Sequence, residues 1–399
     1  MAAEAFVFLS YELWRLLLDK GSMGAVDLGL RLDETHTWFD GLPVYGRFIT
    51  AVYPPATYAI LWPFVGSLQF NPARWLWAAT SVVSLVWLAI LLVRESKAGG
   101  RLERALVVLM LLSIYPTGQT IGNGQLLTLV LPPLLTGLLL LGRSSRGLLL
   151  DLLVAMLLVV SLVKPTGSLP FLLLACFLPS GIRALLLTSL GYIGLTLLAA
   201  SYQSPALPTL VHRWLDGSRD LAAAHGSAFY ANADAWLGSL GLKSWILPVS
   251  LAILVAFGLW TWRHRRVDLW LLIGVAAIVA RFWSYHRSYD DLLILLSMVA
   301  FFRIAKEGGA ARNHDVLAGL LLALTLAVMV VPSGLFFFPR PLRVWFTSLE
   351  SAIWLVGLAF LLLEARAANL ARGRPSSTPR RDCGLRSTAR PTARVAGCP

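Results

Sequence analysis

The chain has 399 residues, of which 57% are hydrophobic and 14% charged, with a mean hydropathy of +0.71. Soluble domains carry about 25% charged residues, so a water-soluble globular class is excluded. A formal charge of +13 would suggest nucleic acid in a soluble protein, but the basic residues gather in turns between apolar runs, which points to a membrane protein instead.

Along the chain, Ala5 to Leu18 is the first candidate crossing. It is short and carries Glu12 and Arg15, as expected if an upstream start codon has been missed. A signal peptide is the competing reading, but no basic segment leads it and no small-residue cleavage site precedes Lys20. A spanning helix needs about 20 mostly apolar residues. The clearest such runs are Trp75 to Val93, Gln125 to Leu141, Arg183 to Ala200, Trp245 to Trp262 and Trp345 to Leu363. Ser168 to Leu178 is shorter, as for a tilted or broken helix covered by protein or a wet cavity.

Basic residues mark alternate turns: Arg94, Lys97, Arg101 and Arg104; then Arg143 and Arg146; then Arg183; then Arg263, Arg265 and Arg266; then Arg303, Lys306 and Arg312. The turn from Pro116 to Gly124 has none and that at Lys164 has one, while the segment after Leu363 adds eight arginines. The positive-inside rule places the basic set and both termini in the cytoplasm of a multi-pass cell-membrane protein with about twelve crossings. The expected organisation is one all-α integral membrane domain over 1–364. A basic, disordered cytoplasmic tail over 365–399, drawn to anionic lipid, would follow. Cys176, Cys383 and Cys398 form no CxxC and no ligand spacing, so neither a disulfide framework nor a metal site is implied.

The turns left for the extracytoplasmic side are Lys20 to about Arg74, Pro116 to Gly124, Lys164 to Gly167, Ser201 to Ser244, Arg281 to Ser288 and Pro332 to Val344. Asp27, Asn123, Gln125, Lys164, Asn232, Arg281, His286, Arg287, Asp290 and Asp291 all lie in or beside them. Ionisable groups at this depth are expensive to bury, and their collection on one side marks a functional face.

Five segments, in order, carry a resemblance: "VDLGLRLDETHTWFDGLPVYG" from Val26, "YPPATYAILWPF" from Tyr53, "GNGQLLTLVLPPLL" from Gly122, "LVKPTG" from Leu162 and "YHRSYDDLLILL" from Tyr285. Over about Asp27 to Phe302 the chain resembles glycosyltransferase family 87, polyprenyl-phosphate-sugar-dependent transferases of the GT-C membrane fold, best known as α-mannosyltransferases. Two departures stand out. Gln125 is followed by Leu126, Leu127 and Thr128 where the family usually has Asn, with Asn123 ahead of it instead. Arg281, Phe282 and Trp283 replace a common Ser-Pro.

The resemblance implies an inverting transfer of a sugar, mannose in the family's best-known members, from a polyprenyl-phosphate donor to a lipid or glycan acceptor of the cell envelope. The expected partners are that donor, that acceptor and the membrane, with no nucleic acid, and no cofactor is expected because the lipid-linked sugar is a substrate. Such a transfer needs a base for the acceptor hydroxyl and positive charge for the departing phosphate. The family pattern puts Asp27 forward as the base, with helix capping as the competing role and with Asp33, Glu34 and Asp40 as neighbours able to share the task. Lys164 either meets an anion or snorkels outward. His286, Arg287 and Arg281 form a second cationic group, suited to phosphate. Asp290 and Asp291 read first as caps of the next helix. Asn232, within "YANADAWLGSL", resembles the family's Asn in a late loop and would bond the sugar or acceptor, as Asn123 and Gln125 would beside it.

Trp38, Phe39, Tyr53, Trp62, Trp75, Trp77, Trp214 and Trp236 crowd the same face, mainly as an interfacial belt. Gly122 and Gly124 lack the strand, lysine and hydroxyl of a nucleotide P-loop, which argues against a nucleotide-sugar donor. There is no HExxH and no GxSxG. Two other classes stay open. A polysaccharide polymerase or ligase using polyprenyl-linked sugars would not need Asp27, and a lipid or sugar transporter would show paired internal repeats, of which none is evident.

Overall fold

The computed structural model describes residues 1–21, 24–142, 147–179, 181–224, 232–331 and 339–373. They form seventeen α-helices and no β-strand. The all-α expectation is met. Arg143, Arg146, residues 332–338 of the expected Pro332 to Val344 turn, Cys383 and Cys398 lie outside the described residues, as does the tail from residue 374.

The first helix, α1 (Ala2–Leu17), is followed by α2 (Val26–Phe39) and α3 (Pro55–Val65), both in the long first turn, and then by α4 (Phe70–Glu95). Next come α5 (Arg101–Ser113) and α6 (Tyr115–Asn123), meeting at a 47° bend. Ile114 is extended there and Pro116 sits in the first turn of α6, where its missing N–H costs no helical bond. Then follow α7 (Leu127–Leu141), α8 (Leu148–Ser161), α9 (Pro165–Ala175), α10 (Gly181–Ala200), α11 (Leu207–Ala224) and α12 (Ala233–Ser239). The remainder are α13 (Ile246–His264), α14 (Leu269–Phe282), α15 (Ile294–Glu307), α16 (His314–Val330) and α17 (Arg340–Gly373). Residues 365–373 of the expected tail thus continue the last helix.

By length and composition, four helices can cross a membrane: α4, α10, α13 with the turn before it, and α17. The bent α5 and α6 pair makes a fifth. Five shorter apolar helices among the described residues come in addition to these. The four long helices bury only 22–39% of their apolar stretch within the protein, and their outer faces, with Val83, Val86, Leu190, Val255 and Val356, are exposed. The shorter apolar helices α7, α8, α9, α14 and α16 pack among them. Every residue of α14 from Trp270 to Phe282 is buried, and α7 runs unbroken from Leu127 to Leu141 with Pro132 and Pro133 inside it. A helix wrapped in protein need not span the hydrocarbon by itself, because neighbours satisfy its ends.

Helix α1 packs on α4, α5 and α6. Its two charges, which made it the weakest crossing, pair with each other: Arg15 Nη1 is 3.1 Å from Glu12 Oε2, and Glu12 is fully buried. They lie in a protein seam rather than in lipid.

The turns sort into two ends. At one, Lys97 pairs with Glu307, Lys306 with Glu103 and Arg303 with Asp268. Arg372 also donates to the carbonyl of Arg266. These are turns that the alternation assigns to the same side. At the other, Trp38 donates to the Ala199 carbonyl (2.8 Å), Trp214 to Val52 (2.9 Å), Thr57 to Val163 (3.0 Å) and Trp283 to Thr166 (2.7 Å). These join the first long turn, the Lys164 turn, the α11 region and the Arg281 to Ser288 turn, again as the alternation groups them.

Candidate active site

At that second end α2, the loop before α3, the start of α9 and the turn between α14 and α15 converge. Asp27 is the second residue of α2, whose N-cap is Ala25 in a left-handed conformation (φ 52°) with no side-chain cap bond. Asp27 is therefore not a cap. It is 9% exposed and makes no hydrogen bond or ion pair among the described residues. Lys164, Arg31, Tyr53 and Tyr289 lie within its electrostatic reach. A carboxylate in the first turn of a helix interacts favourably with the helix dipole, and here that leaves its oxygens unoccupied. Its neighbours differ. Asp33 and Asp40 are exposed. Glu34 is fully buried and pairs with Arg31 at 2.6 Å, with Thr50 donating to it at 3.0 Å. Burial outweighs those partners and holds the Glu34 carboxyl above its usual range.

Lys164, at the N-terminus of α9, neither snorkels nor waits unpaired: its ammonium pairs with Asp290 and lies 5.1 Å above the Tyr289 ring. Both partners are buried. Asp290 also accepts from the Arg287 N–H at 3.1 Å, so it satisfies a backbone donor at the start of the turn alongside its ion pair. Burial would raise the Asp290 carboxyl, but Lys164, His286 and those hydrogen bonds together hold it below the usual carboxylate range. The Arg287 side chain donates to the Tyr285 hydroxyl at 2.8 Å and is partly exposed. His286 is fully buried. Its Nδ1 meets the Ser284 carbonyl at 2.9 Å, and its Nε2 has no hydrogen-bond partner among the described residues. Burial pushes the ring down to about 4, so it is neutral near pH 7. Nδ1 then carries the hydrogen and Nε2 the lone pair.

Three expected ligands are committed elsewhere. The Arg281 guanidinium, 2% exposed, pairs with Asp291, whose other oxygen accepts from Tyr115. It lies 5.7 Å from the Trp354 ring of α17. Arg281 and Asp291 therefore tie α14, α6 and α17 together inside the bundle, and Asp291 is not a cap. Asn232 is fully buried, accepts from the Ala235 N–H at 2.8 Å as the cap of α12, and donates to the His286 carbonyl at 3.1 Å. Its amide thus holds the His286 turn. Asn123 accepts from Arg15. Gln125 is buried, and among the described residues only its backbone N–H is engaged, donating to the Thr120 carbonyl at 2.8 Å.

Most of the aromatic belt is committed too. Trp38 stacks on Tyr58 with centroids 4.6 Å apart, Trp62 on Phe39 at 4.3 Å, and Trp236 on Phe282 at 5.6 Å. The hydroxyls of Tyr53 and Tyr289, beside Asp27, make no hydrogen bond among the described residues. Tyr289 and Arg31 are members of the site that sequence reasoning missed. For Arg31 a signal existed in the i, i+3 spacing to Glu34 on a helix. Among the described residues no group of three or more His, Cys, Asp or Glu side chains is placed to hold a metal ion.

The family profile described as Glycosyltransferase family 87 matches residues 51–305. No curated protein and no solved structure matches the chain. The match takes in Lys164, Asn232 and His286 to Asp291 but begins after Asp27, whose case rests on its placement and chemistry.

Proposed function

Because the chain belongs to glycosyltransferase family 87, matched over well over half its length, we propose that it transfers a sugar, mannose, from a polyprenyl-phosphate donor to a lipid or glycan acceptor. The reaction takes place at the extracytoplasmic end of the bundle, with inversion, and Asp27 is the general base. The observation that carries this reading is Asp27 itself: a carboxylate nine-tenths buried, without a hydrogen-bond or ion-pair partner among the described residues, beside a cationic turn.

In a single displacement the acceptor oxygen attacks the anomeric carbon as the bond to the phosphate oxygen breaks. The hydroxyl proton becomes acidic as the new bond forms and passes to Asp27. The electron pair leaves with the lipid phosphate, whose growing charge Lys164 and Arg287 stabilise. Asp290 keeps Lys164 charged and aimed. His286 stays buried behind the turn that carries Arg287, and the hydroxyls of Tyr53 and Tyr289 offer hydrogen bonds to the sugar.

Membranes holding the chain, supplied with radiolabelled polyprenyl-phosphate mannose, glucose and arabinose, test this reading. Mannose should be transferred, and Asp27→Asn should lose about 10² to 10⁴ in rate, the usual range for a general base, while Asp33→Asn and Asp40→Asn lose much less. Near-normal transfer by Asp27→Asn would move the base elsewhere and favour a polymerase or ligase.

A further inference from the structure

The Gly122, Asn123, Gly124 turn looks in sequence like a ligand loop, yet its atoms are taken up by the protein. The carbonyl of Gly122 accepts from the Ala25 N–H at 3.1 Å, two residues before Asp27. Gly124 has φ 71°, a left-handed conformation that an L side chain rarely adopts. A Cβ built there would fall 2.5 Å from the Leu28 Cβ and 3.3 Å from its amide nitrogen. A Cβ on Gly122 would fall 1.8 Å from Glu12 Oε2. Arg74 closes the other side, donating to the carbonyls of Arg15 (3.0 Å) and Asp19 (2.7 Å) and also to that of Leu16. The chain that enters α2 is thus held against the C-terminal end of α6 by the backbone bond from Ala25 to Gly122 and by the close approach of Leu28 at Gly124, while Gly122 closes on the Glu12 side chain of α1.

We propose that Gly124, with Gly122, is a positioning residue for the reaction: the turn is the seat of the catalytic base, fixing the first turn of α2 and hence the direction of Asp27. It touches neither donor nor acceptor. This rests on Asp27 being the base, and it assigns the glycine turn a role other than phosphate or sugar binding. Because displacement of a reacting group by about 1 Å costs on the order of 10² in rate, a methyl group at Gly124 acts through Asp27 or not at all.

A double-mutant cycle on transfer rate reads this out. Gly124→Ala alone should lower kcat by about 10² with donor KM changed less than about twofold, the split expected when only the transition state loses an interaction. In an Asp27→Asn background the same substitution should lower the residual rate no further. Gly147→Ala, where a Cβ meets nothing within 4 Å, should leave the rate unchanged. Leu28→Gly removes the atom that the new methyl strikes most closely, so Gly124→Ala should cost less in a Leu28→Gly background than alone, with the strain of the left-handed backbone remaining. Equal losses from Gly124→Ala in the parent and Asp27→Asn backgrounds, a normal rate in the single variant, or a loss in the Leu28→Gly background as large as in the parent would overturn the proposal. A normal rate for Asp27→Asn would instead sink the assignment of the base.

Discussion

Asp290→Asn isolates the charge of the Lys164 and Asp290 pair, because asparagine keeps the volume and can still accept from the Arg287 N–H, 3.1 Å away. Lys164 is 6% and Asp290 3% exposed, so solvent screens them little, and removing one partner of such a pair costs about 3–5 kcal/mol. Asp27 is a second carboxylate within reach of Lys164, and the ammonium will turn toward it. The expected loss therefore lies at the low end, about 3 kcal/mol. The same movement ties up the base, so transfer should fall as well. Lys164→Met should destabilise similarly, by leaving Asp290 ionised and alone. The double variant removes both charges and should recover most of the stability, since a buried pair replaced by neutral groups is often close to neutral, but not the activity. Reversible unfolding of the purified protein in detergent measures all four corners of the cycle. Losses that simply add, to within about 0.5 kcal/mol, would refute the buried pair.

His286 gives a pH prediction. Its ring titrates near 4 when folded, against 6.5 for the free side chain. Between those values the unfolded chain takes up a proton that the folded chain does not. The His286 contribution to stability should thus fall as pH drops from about 6.5 to 4, by about 1.4 kcal/mol per unit at most. It is read as the difference between the parent chain and His286→Asn, because Glu12 and Asp234, raised by burial to about 7 and about 6, contribute with the opposite sign. Unfolding midpoints of His286→Asn across the same range should lose that slope; an unchanged slope would show that another group causes it. For topology, single cysteines at Arg101, Arg265 and Arg312, in a background without Cys176, Cys383 and Cys398, should be shielded from an impermeant thiol reagent outside intact cells. Those at Arg213 and Arg219 should react. Reaction of the first group would reverse the assignment of sides.

The helical class and the division of turns between two ends could be read from composition and basic residues because both follow from the bilayer, which acts on every segment alike. That Asp27 and Lys164 lie at the same end was also legible. What sequence could not supply was partnership. Lys164 and Asp290 are 126 positions apart and meet only because α9 packs on α14. Arg281 and Arg287 look interchangeable in sequence, yet one sits within the bundle on Asp291 and the other lies at the partly exposed turn. Asn232 and Asn123 carry the right chemistry for a sugar, and it is used on a helix cap and on Arg15 instead. The number of crossings is harder to read for a related reason: an apolar run reads the same whether lipid or protein surrounds it.

The short inner helices bear on how a lipid-linked donor would reach this site. At 1.5 Å per residue, the 14 residues of α14 span roughly 21 Å of a hydrocarbon core about 30 Å thick. The 11 residues of α9, capped by Lys164, span less. The outer helices α4 and α17, at 26 and 34 residues, span the core with residues to spare. Under the proposed reaction, cationic groups carried on short inner helices within a wall of longer ones suit a phosphate that stays attached to a polyprenyl chain in the membrane, which a soluble donor would not need.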